Sequence, residues 1–381
     1  MARTSVERNS SYDNIRGVYY VCLDQGRNEH GERCRSYRTV PSLRDARRLL
    51  RDFESKRHEN RIVRSTSKTL QQWLEYWLDE VIAPTRAETT TYGYRKIVEN
   101  HLIPFLGKIP LQRLTPQDIQ RYYNMLQTRK GLSTNTIRRH HDLLAAALHT
   151  AVKQDVLAQC PVDRVEPPRY RIVETSYYTA DELCRLYELV EGTGLEVPVK
   201  LAGGLGLRRE ELCGLKWQSV DFQHRTVQIR EARTSAGAVI IEKETKNRSS
   251  TRTLHLTPEL LLLLKQERWR QDAAAHSLGH RWPNTDFVVV NHRGVPPTPN
   301  ALSLAFSRFV KKNGLPKLTL HGLRHTFATV ASEQGAPLFE IGKALGHSTP
   351  ATTGKIYTHL VDHTHAATLD KVAAAVRRSL P

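Results

Sequence analysis

His321-Gly322-Leu323-Arg324-His325, in the last third of the chain, is the stretch on which the reading of the fold turns. Two histidines four apart lie on one face of a predicted helix, which first suggests a metal site of the His-Glu-x-x-His kind. That reading fails because the second position is Gly322, and because Arg324 between the histidines repels a dication. Working outward, Leu345-Gly346-His347 follows, then Tyr357 ten residues after His347, with Gly206-Leu207-Arg208 more than a hundred residues upstream. The set joins two guanidiniums, several imidazoles and a phenol. Arginine presents a planar fork of donors that matches phosphate oxygens and stays charged at any working pH. Such a set suits attack on a phosphodiester with no metal and no cofactor.

The pattern resembles the tyrosine recombinase (phage integrase) family, in its lambda-like and conjugative-transposon branch. The family's Gly-Leu-Arg-x-x-Glu-Leu block reads here Gly206-Leu207-Arg208-Arg209-Glu210-Glu211-Leu212, and the His-x-Leu-Arg-His block and the Leu-Gly-His block followed by tyrosine stand in the same order. The resemblance implies that Arg208 and Arg324 clamp the scissile phosphate. It implies that His321 takes or steadies the proton of the nucleophile, that His347 donates to a non-bridging oxygen, and that His325 is structural support. Tyr357 is the implied nucleophile, forming a 3′-phosphotyrosine. A phenol of ordinary pKa near 10 is a poor nucleophile at neutral pH, so neighbouring cations and a base must favour its ionised form. The implied fold is the DNA breaking-rejoining fold.

Composition agrees with a polyanionic partner. The 381 residues carry 57 Lys and Arg against 39 Asp and Glu, a formal net charge of +18, and a field of that sign concentrates phosphates and speeds encounter. The length suits two or three domains. No stretch approaches the roughly 20 apolar residues of a membrane span, and the mean hydropathy is −0.50. The five cysteines, Cys22, Cys34, Cys160, Cys184 and Cys213, are odd in number and form no Cys-x-x-Cys pair, which argues against a disulfide framework or a structural zinc site. The first eight residues show no apolar signal region, so the expected location is the cytoplasm.

The expected architecture is multidomain: a small N-terminal β-sheet plus helix domain, an all-α core-binding domain, and a mixed, mainly-α catalytic domain with a small β-sheet. In the first, short alternating runs at 18–23 and 35–40 read as a β-hairpin or small sheet, and Ser42-Leu43-Arg44-Asp45 caps a helix over 46–59. This Arg-dense unit, residues 1–64, resembles an arm-type DNA-binding domain. Residues 65–165 hold four predicted helices. The first carries Leu70, Trp73, Leu74, Trp77 and Leu78 at core-facing spacing; the second runs from Ala87 to about His101, ending at Ile103-Pro104; the third and fourth open at Thr115-Pro116 and Ser133. The succession of Trp73, Tyr92, Phe105-Leu106-Gly107 and Leu114-Thr115-Pro116 resembles the family's core-binding domain. Arg86, Arg95, Lys96, Arg129, Lys130, Arg138, Arg139 and His140 are candidates to rest on backbone phosphates. Residues 166–174, with Pro167 and Pro168 among arginines, read as a cationic linker, and 175–381 as the catalytic domain.

Within that last domain, 180–216 reads as helices, with Glu211 placed to orient Arg208 and Asp221 capping a turn. Two strands are expected at 226–230 and 251–256, with Glu244-Thr245-Lys246-Asn247-Arg248 between them. The resemblance makes Lys246 the general acid for the departing 5′ oxygen; Lys243 and Arg248 lie close by, and the alternative is that all three rest on phosphates. Leu369, Val372, Ala373 and Val376 form a terminal amphipathic stripe, which the resemblance docks on a neighbouring protomer, with packing in cis as the alternative. The expected function is a site-specific recombinase that integrates and excises a mobile element such as a prophage. Its expected partners are double-stranded DNA at core and arm sites, a homotetramer on DNA, and an excisionase or host bending protein. The competing readings are a non-catalytic DNA-binding regulator on the same fold and a topoisomerase of the same chemistry.

Overall fold

The computed structural model describes residues 3–27, 33–58, 66–171, 175–244, 251–283 and 285–347. Lys246, Arg248, Tyr357 and the terminal stripe at 369–376 lie outside the described residues. The chain divides into two compact units, Met1–Ile172 and Val173–Pro381.

The first unit begins with a four-stranded antiparallel sheet, β1 (Arg3–Glu7), β2 (Ser10–Asp13), β3 (Val18–Arg27) and β4 (Arg33–Val40), in sequential order. The sequence predicts the last two strands. It misses β1 and β2 because Arg3–Glu7 is almost wholly exposed and carries no apolar alternation. The β2–β3 turn is held by Asp13, whose Oδ1 accepts from the amides of Ile15 and Arg16 at 3.0 and 3.1 Å. Helix α1 (Leu43–His58) starts at Ser42, whose Oγ accepts from the Asp45 amide at 3.1 Å. It packs Ala46, Leu49, Leu50 and Phe53 against Val21 and Leu23 of the sheet.

The helices of this unit are α2 (Leu70–Tyr76), α3 (Glu88–Ile97), α4 (Ile103–Leu106), α5 (Pro116–Thr128) and α6 (Thr134–Lys153). Helix α2 continues into a wide π turn at Trp77–Ile82, and α3 reaches α4 through another at Val98–Leu102. The predicted helix end at Ile103-Pro104 is therefore corrected: the chain stays helical to Leu106. Pro104 falls in the first turn after the widened segment, where a missing amide proton is tolerated. Trp73 and Trp77 are buried, and their indole N–H groups donate to Ala147 O at 3.0 Å and Thr150 Oγ1 at 3.2 Å. His140, read from sequence as a phosphate contact, is instead only 2 % exposed. Its Nδ1 lies 2.7 Å from the Tyr122 hydroxyl, so a helix-face basic residue turns out to be a core one.

The second unit holds helices α7 (Ala180–Val190), α8 (Glu196–Leu205) and α9 (Arg209–Gly214), strands β5 (Val220–Asp221) and β6 (Thr226–Ile229), ribbon β7 (Glu231–Ala236) and β8 (Val239–Glu244), and β9 (Arg252–His255). It continues through α10 (Pro258–Leu278), α11 (Pro299–Lys312), α12 (Leu320–Glu333) and α13 (Leu338–Leu345). The two expected strands exist and pair with each other, Val227 opposite Leu254, in a sheet of order β5-β6-β9. The ribbon between them is an unforeseen hairpin, since Glu231–Ala236 shows no clean alternation of burial. Helices α8 and α12 pack together around a core that includes Leu201, Leu207, Leu212, Val227, Phe306 and Leu323.

Candidate active site

Helix α8 ends where Gly206 takes a left-handed conformation, φ 63° and ψ 30°. A side chain there would be strained, and its Cβ would lie 2.5 Å from Leu345 Cδ2. The tight turn delivers Arg208 to the cap position of α9. Three residues on, Glu211 reaches back: Oε2 accepts from the Arg208 amide at 2.9 Å, and Oε1 accepts from Arg208 Nη1 at 2.8 Å. The carboxylate thus closes the helix start and aims the guanidinium with the same side chain.

A third arginine completes this group. Arg252 of β9 donates from Nη1 and Nη2 to the two oxygens of Glu211 at 3.0 and 2.9 Å, and from Nε to Ala344 O at 2.6 Å. Sequence reasoning missed it. The available signal was its position: in β9 the alternation puts residue 252 on the same side as buried Leu254, and a cation at an inward site needs a partner.

Arg324, in the second turn of α12, is 3 % exposed. It donates from Nη1 to Gly206 O at 2.8 Å and from Nη2 to Leu345 O at 2.6 Å. Arg208 Nη2 donates to Gly346 O at 3.3 Å. The carbonyls of Ala344, Leu345 and Gly346, at the end of α13, are therefore each taken by a different arginine. A helix C-terminus leaves carbonyls without helical partners and carries partial negative charge, so it docks naturally on cations. Gly346, at φ 66°, ends α13, and His347 follows with its amide on Gly342 O at 3.0 Å. The arginine grip is what places His347.

Thr319 caps α12, its Oγ1 accepting from the Gly322 amide at 3.0 Å. His321 is exposed and, with Arg208, Arg209, Ser303 and Thr319, lines an open cleft of about 720 Å³. His325 is buried beneath it, the two rings edge to face with centroids 4.9 Å apart. Desolvation, then the Arg324 charge, holds His321 below the usual histidine range, with Glu210 opposing. Burial pushes His325 down to about 4, with His321 and Arg324 adding to the shift. Burial likewise brings His347 to about 4, assisted by Arg324 and Arg208. Each of these shifts favours the neutral imidazole. Glu211 is the reverse case: burial alone would raise its pKa, but the hydrogen bonds and charge of Arg252, then those of Arg208, outweigh burial and keep it ionised.

Arg208, Arg324 and His347 are thus brought together, with His321 on the cleft that Arg208 lines; Lys246 and Tyr357 lie outside the described residues. Among the described residues, His149, Cys160 and Asp163 of the first unit place ligand-type atoms within 4.8 Å of one another. The 2.8 Å bond from His149 Nε2 to Asp163 Oδ1 satisfies that pair without an ion.

Residues 177–364 match the phage integrase family, and residues 69–127 match the phage integrase N-terminal SAM-like domain. The chain belongs to the phage integrase family. It is a site-specific recombinase of the tyrosine type. It is 26% identical to a tyrosine recombinase XerC-like protein of Caldanaerobacter subterraneus subsp. tengcongensis, over 91% of this chain and 94% of that one. To the ICEBs1 integrase of Bacillus subtilis it is 23% identical, over 90% and 93%. Its fold is that of the Tn1549 transposon integrase, solved in complex with a circular intermediate DNA: TM-score 0.67 at 21% identity, covering 80% of this chain and 100% of the other. A lambda integrase dimer bound to a COC' core site gives a TM-score of 0.57 at 19% identity, over 93% and 96%. Among the described residues no helix is long and apolar enough to cross a membrane.

Proposed function

We propose that this recombinase cuts and rejoins double-stranded DNA through a 3′-phosphotyrosine on Tyr357, and so integrates and excises a mobile element. The observation that carries the reading is the charge of the cluster. Two guanidiniums, Arg208 and Arg252, share the Glu211 carboxylate, Arg324 is held on backbone carbonyls beside them, and the shifts of the imidazoles favour their neutral form, so the cluster keeps an excess of positive charge fixed in place before any substrate arrives. A preorganised field of that sign stabilises the extra negative charge of a pentacoordinate phosphorus.

In this reaction the phenolic oxygen of Tyr357 attacks phosphorus as the 5′ oxygen leaves. Neutral His321 takes or steadies the phenolic proton, Lys246 protonates the leaving oxygen, and His347 donates its N–H to a non-bridging oxygen beside Arg208 and Arg324. A 5′-hydroxyl from a second duplex then reverses the step. The phosphoester bond is conserved throughout, so neither ATP nor a metal ion is consumed, and positioning carries the rate. Residues 1–64 serve arm sites, 65–165 and 175–381 hold the core site, and 166–174 join them. The +18 net charge supports such binding through phosphate contacts. Four copies act together on DNA, an excisionase or host bending protein sets direction, and the reaction takes place in the cytoplasm.

The test is a nicked suicide duplex carrying the element's own attachment site. The wild-type protein is expected to give a slow-migrating covalent adduct on a denaturing gel, and Tyr357→Phe none. An adduct from Tyr357→Phe, or none from the wild type, overturns the reading.

A further inference from the structure

We infer that Arg252 is a positioning residue that balances the charge of Glu211 and thereby keeps the charge of Arg208 available to the scissile phosphate. The inference rests on the phosphotyrosine reading above and adds a residue to which that reading gives no role.

Glu211 is 3 % exposed, and its two oxygens are shared between two arginines in unequal measure. Arg252 meets both oxygens side-on, at 3.0 and 2.9 Å. The Arg208 side chain meets one, at 2.8 Å. Exposure separates the two in the same sense: the Arg252 side chain is 7% exposed and that of Arg208 32%. One guanidinium is therefore committed to the carboxylate, and the other touches it while its residue lines the cleft that His321 also lines. A buried carboxylate will take a full countercharge from whatever cation is nearest, because an unpaired charge in that setting is costly. With Arg252 present, the pair Glu211 and Arg252 sums to zero and Arg208 contributes its whole unit to the cleft. Without Arg252, the neutral pair becomes Glu211 with Arg208, and the cleft loses one unit of positive charge although every residue that would touch DNA remains. The bond from Arg252 Nε to Ala344 O adds a second route, since it fixes the end of the helix that precedes His347.

The experiment uses the full-length protein and the nicked attachment-site duplex, with single-turnover adduct formation measured at saturating DNA. Wild type and Tyr357→Phe serve as the positive and negative controls. If the wild type forms no adduct, it is the phosphotyrosine reading that has failed. Given that adduct, Arg252→Gln is expected to slow its formation by roughly 10²-fold, the size of losing one preorganised charge contact, while DNA affinity changes by less than about threefold, as expected for a residue outside the phosphate contacts. The deciding variant is the double substitution Glu211→Gln with Arg252→Gln. It removes the carboxylate that captures Arg208, so cleavage should recover by about tenfold over Arg252→Gln, a coupling that only interacting sites show. A purely architectural Arg252 predicts the opposite, a double variant as slow as the single or slower. Arg252→Lys guards against a variant that fails to fold: it keeps the charge and loses the fork, and should cleave at least tenfold faster than Arg252→Gln. Cleavage by Arg252→Gln at the wild-type rate, no recovery in the double variant, or a Lys variant as slow as Gln each overturns the inference.

Discussion

Each unit buries a group of titratable side chains, and the two groups are balanced in opposite ways. In the first unit, His140 is 2 % exposed and its Nδ1 lies 2.7 Å from the Tyr122 hydroxyl. Burial pushes the histidine down to about 4 and drives the Tyr122 phenol up, so the pair is neutral over the whole physiological range. In the second unit, Arg324 and Glu211 are buried about as deeply and the Arg252 side chain is 7% exposed, yet Arg208, Arg252 and Arg324 outnumber the Glu211 carboxylate three to one. A polar pair in a core settles to zero net charge because uncompensated charge there is expensive. Where a cluster keeps an excess, something outside the chain is meant to balance it. Residual charge, more than burial or hydrogen bonding, separates the proposed active site from the merely satisfied pair.

The largest effect expected from this contrast comes from Arg324→Lys. The substitution keeps a cation but cannot reach both Gly206 O and Leu345 O, now held at 2.8 and 2.6 Å. Adduct formation should fall by roughly 10² to 10³-fold, as when a preorganised donor is lost. Tyr122→Phe, which disturbs the neutral pair in the other unit, should leave the cleavage step of folded, DNA-saturated protein within about threefold of wild type. Equal loss in both variants would erase the distinction.

Trp73→Ala probes the first unit's core. Trp73 is 2% exposed and donates its indole N–H to Ala147 O at 3.0 Å, so the variant should lose about 3 to 5 kcal/mol in denaturant unfolding of that unit. The second unit's transition should move far less, because its core cluster shares no residue with that of Trp73. A common shift of both transitions would show that the units unfold as one.

Much of the first unit's fold was legible because its signals are local. Thr115 and Ser133 cap helices where their sequences say so, and the stripe of Trp73, Leu74, Trp77 and Leu78 is buried as its spacing predicts. In the second unit the motif residues of the site were legible as blocks, and Glu211 orients Arg208 as expected. What escaped was long-range: Arg252 lies 41 positions from Glu211 and meets it only because β9 returns beside β6. The burial of His140 escaped for a related reason. Its basic character suggested a phosphate, and only packing against α5 reveals Tyr122 as its partner.

The neutral pair also predicts a pH dependence. The folded value for His140 is about 4, against about 6.5 in the unfolded chain. Between those values the unfolded state binds the extra proton, so stability present above pH 6.5 is lost as the pH falls toward 4. At pH 5 this one group costs on the order of 2 kcal/mol relative to pH 7. His140→Gln should lower stability at pH 7 but flatten the pH 7 to pH 5 difference by that amount, as read from urea unfolding. An unchanged slope would show that His140 does not carry the acid sensitivity.

The smallest effect on stability is expected where an ion pair lies at the surface. Arg138 is half-buried on α6 and meets Asp142 at 3.0 Å one turn on. Such a pair is worth no more than about 0.5 kcal/mol, so Arg138→Ala should leave unfolding nearly unmoved. Its charge is another matter. If Arg138 rests on a backbone phosphate, removing it should weaken attachment-site binding and lower the slope of log affinity against log salt by about one counterion. The same titration on His140→Gln should show no change in slope, since a buried neutral imidazole releases no counterion. Arg138 and His140 are two residues apart on one helix and were equal candidates by residue type. A salt slope that moved with His140 and not with Arg138 would mean that burial had been the wrong criterion for telling a phosphate contact from a core residue.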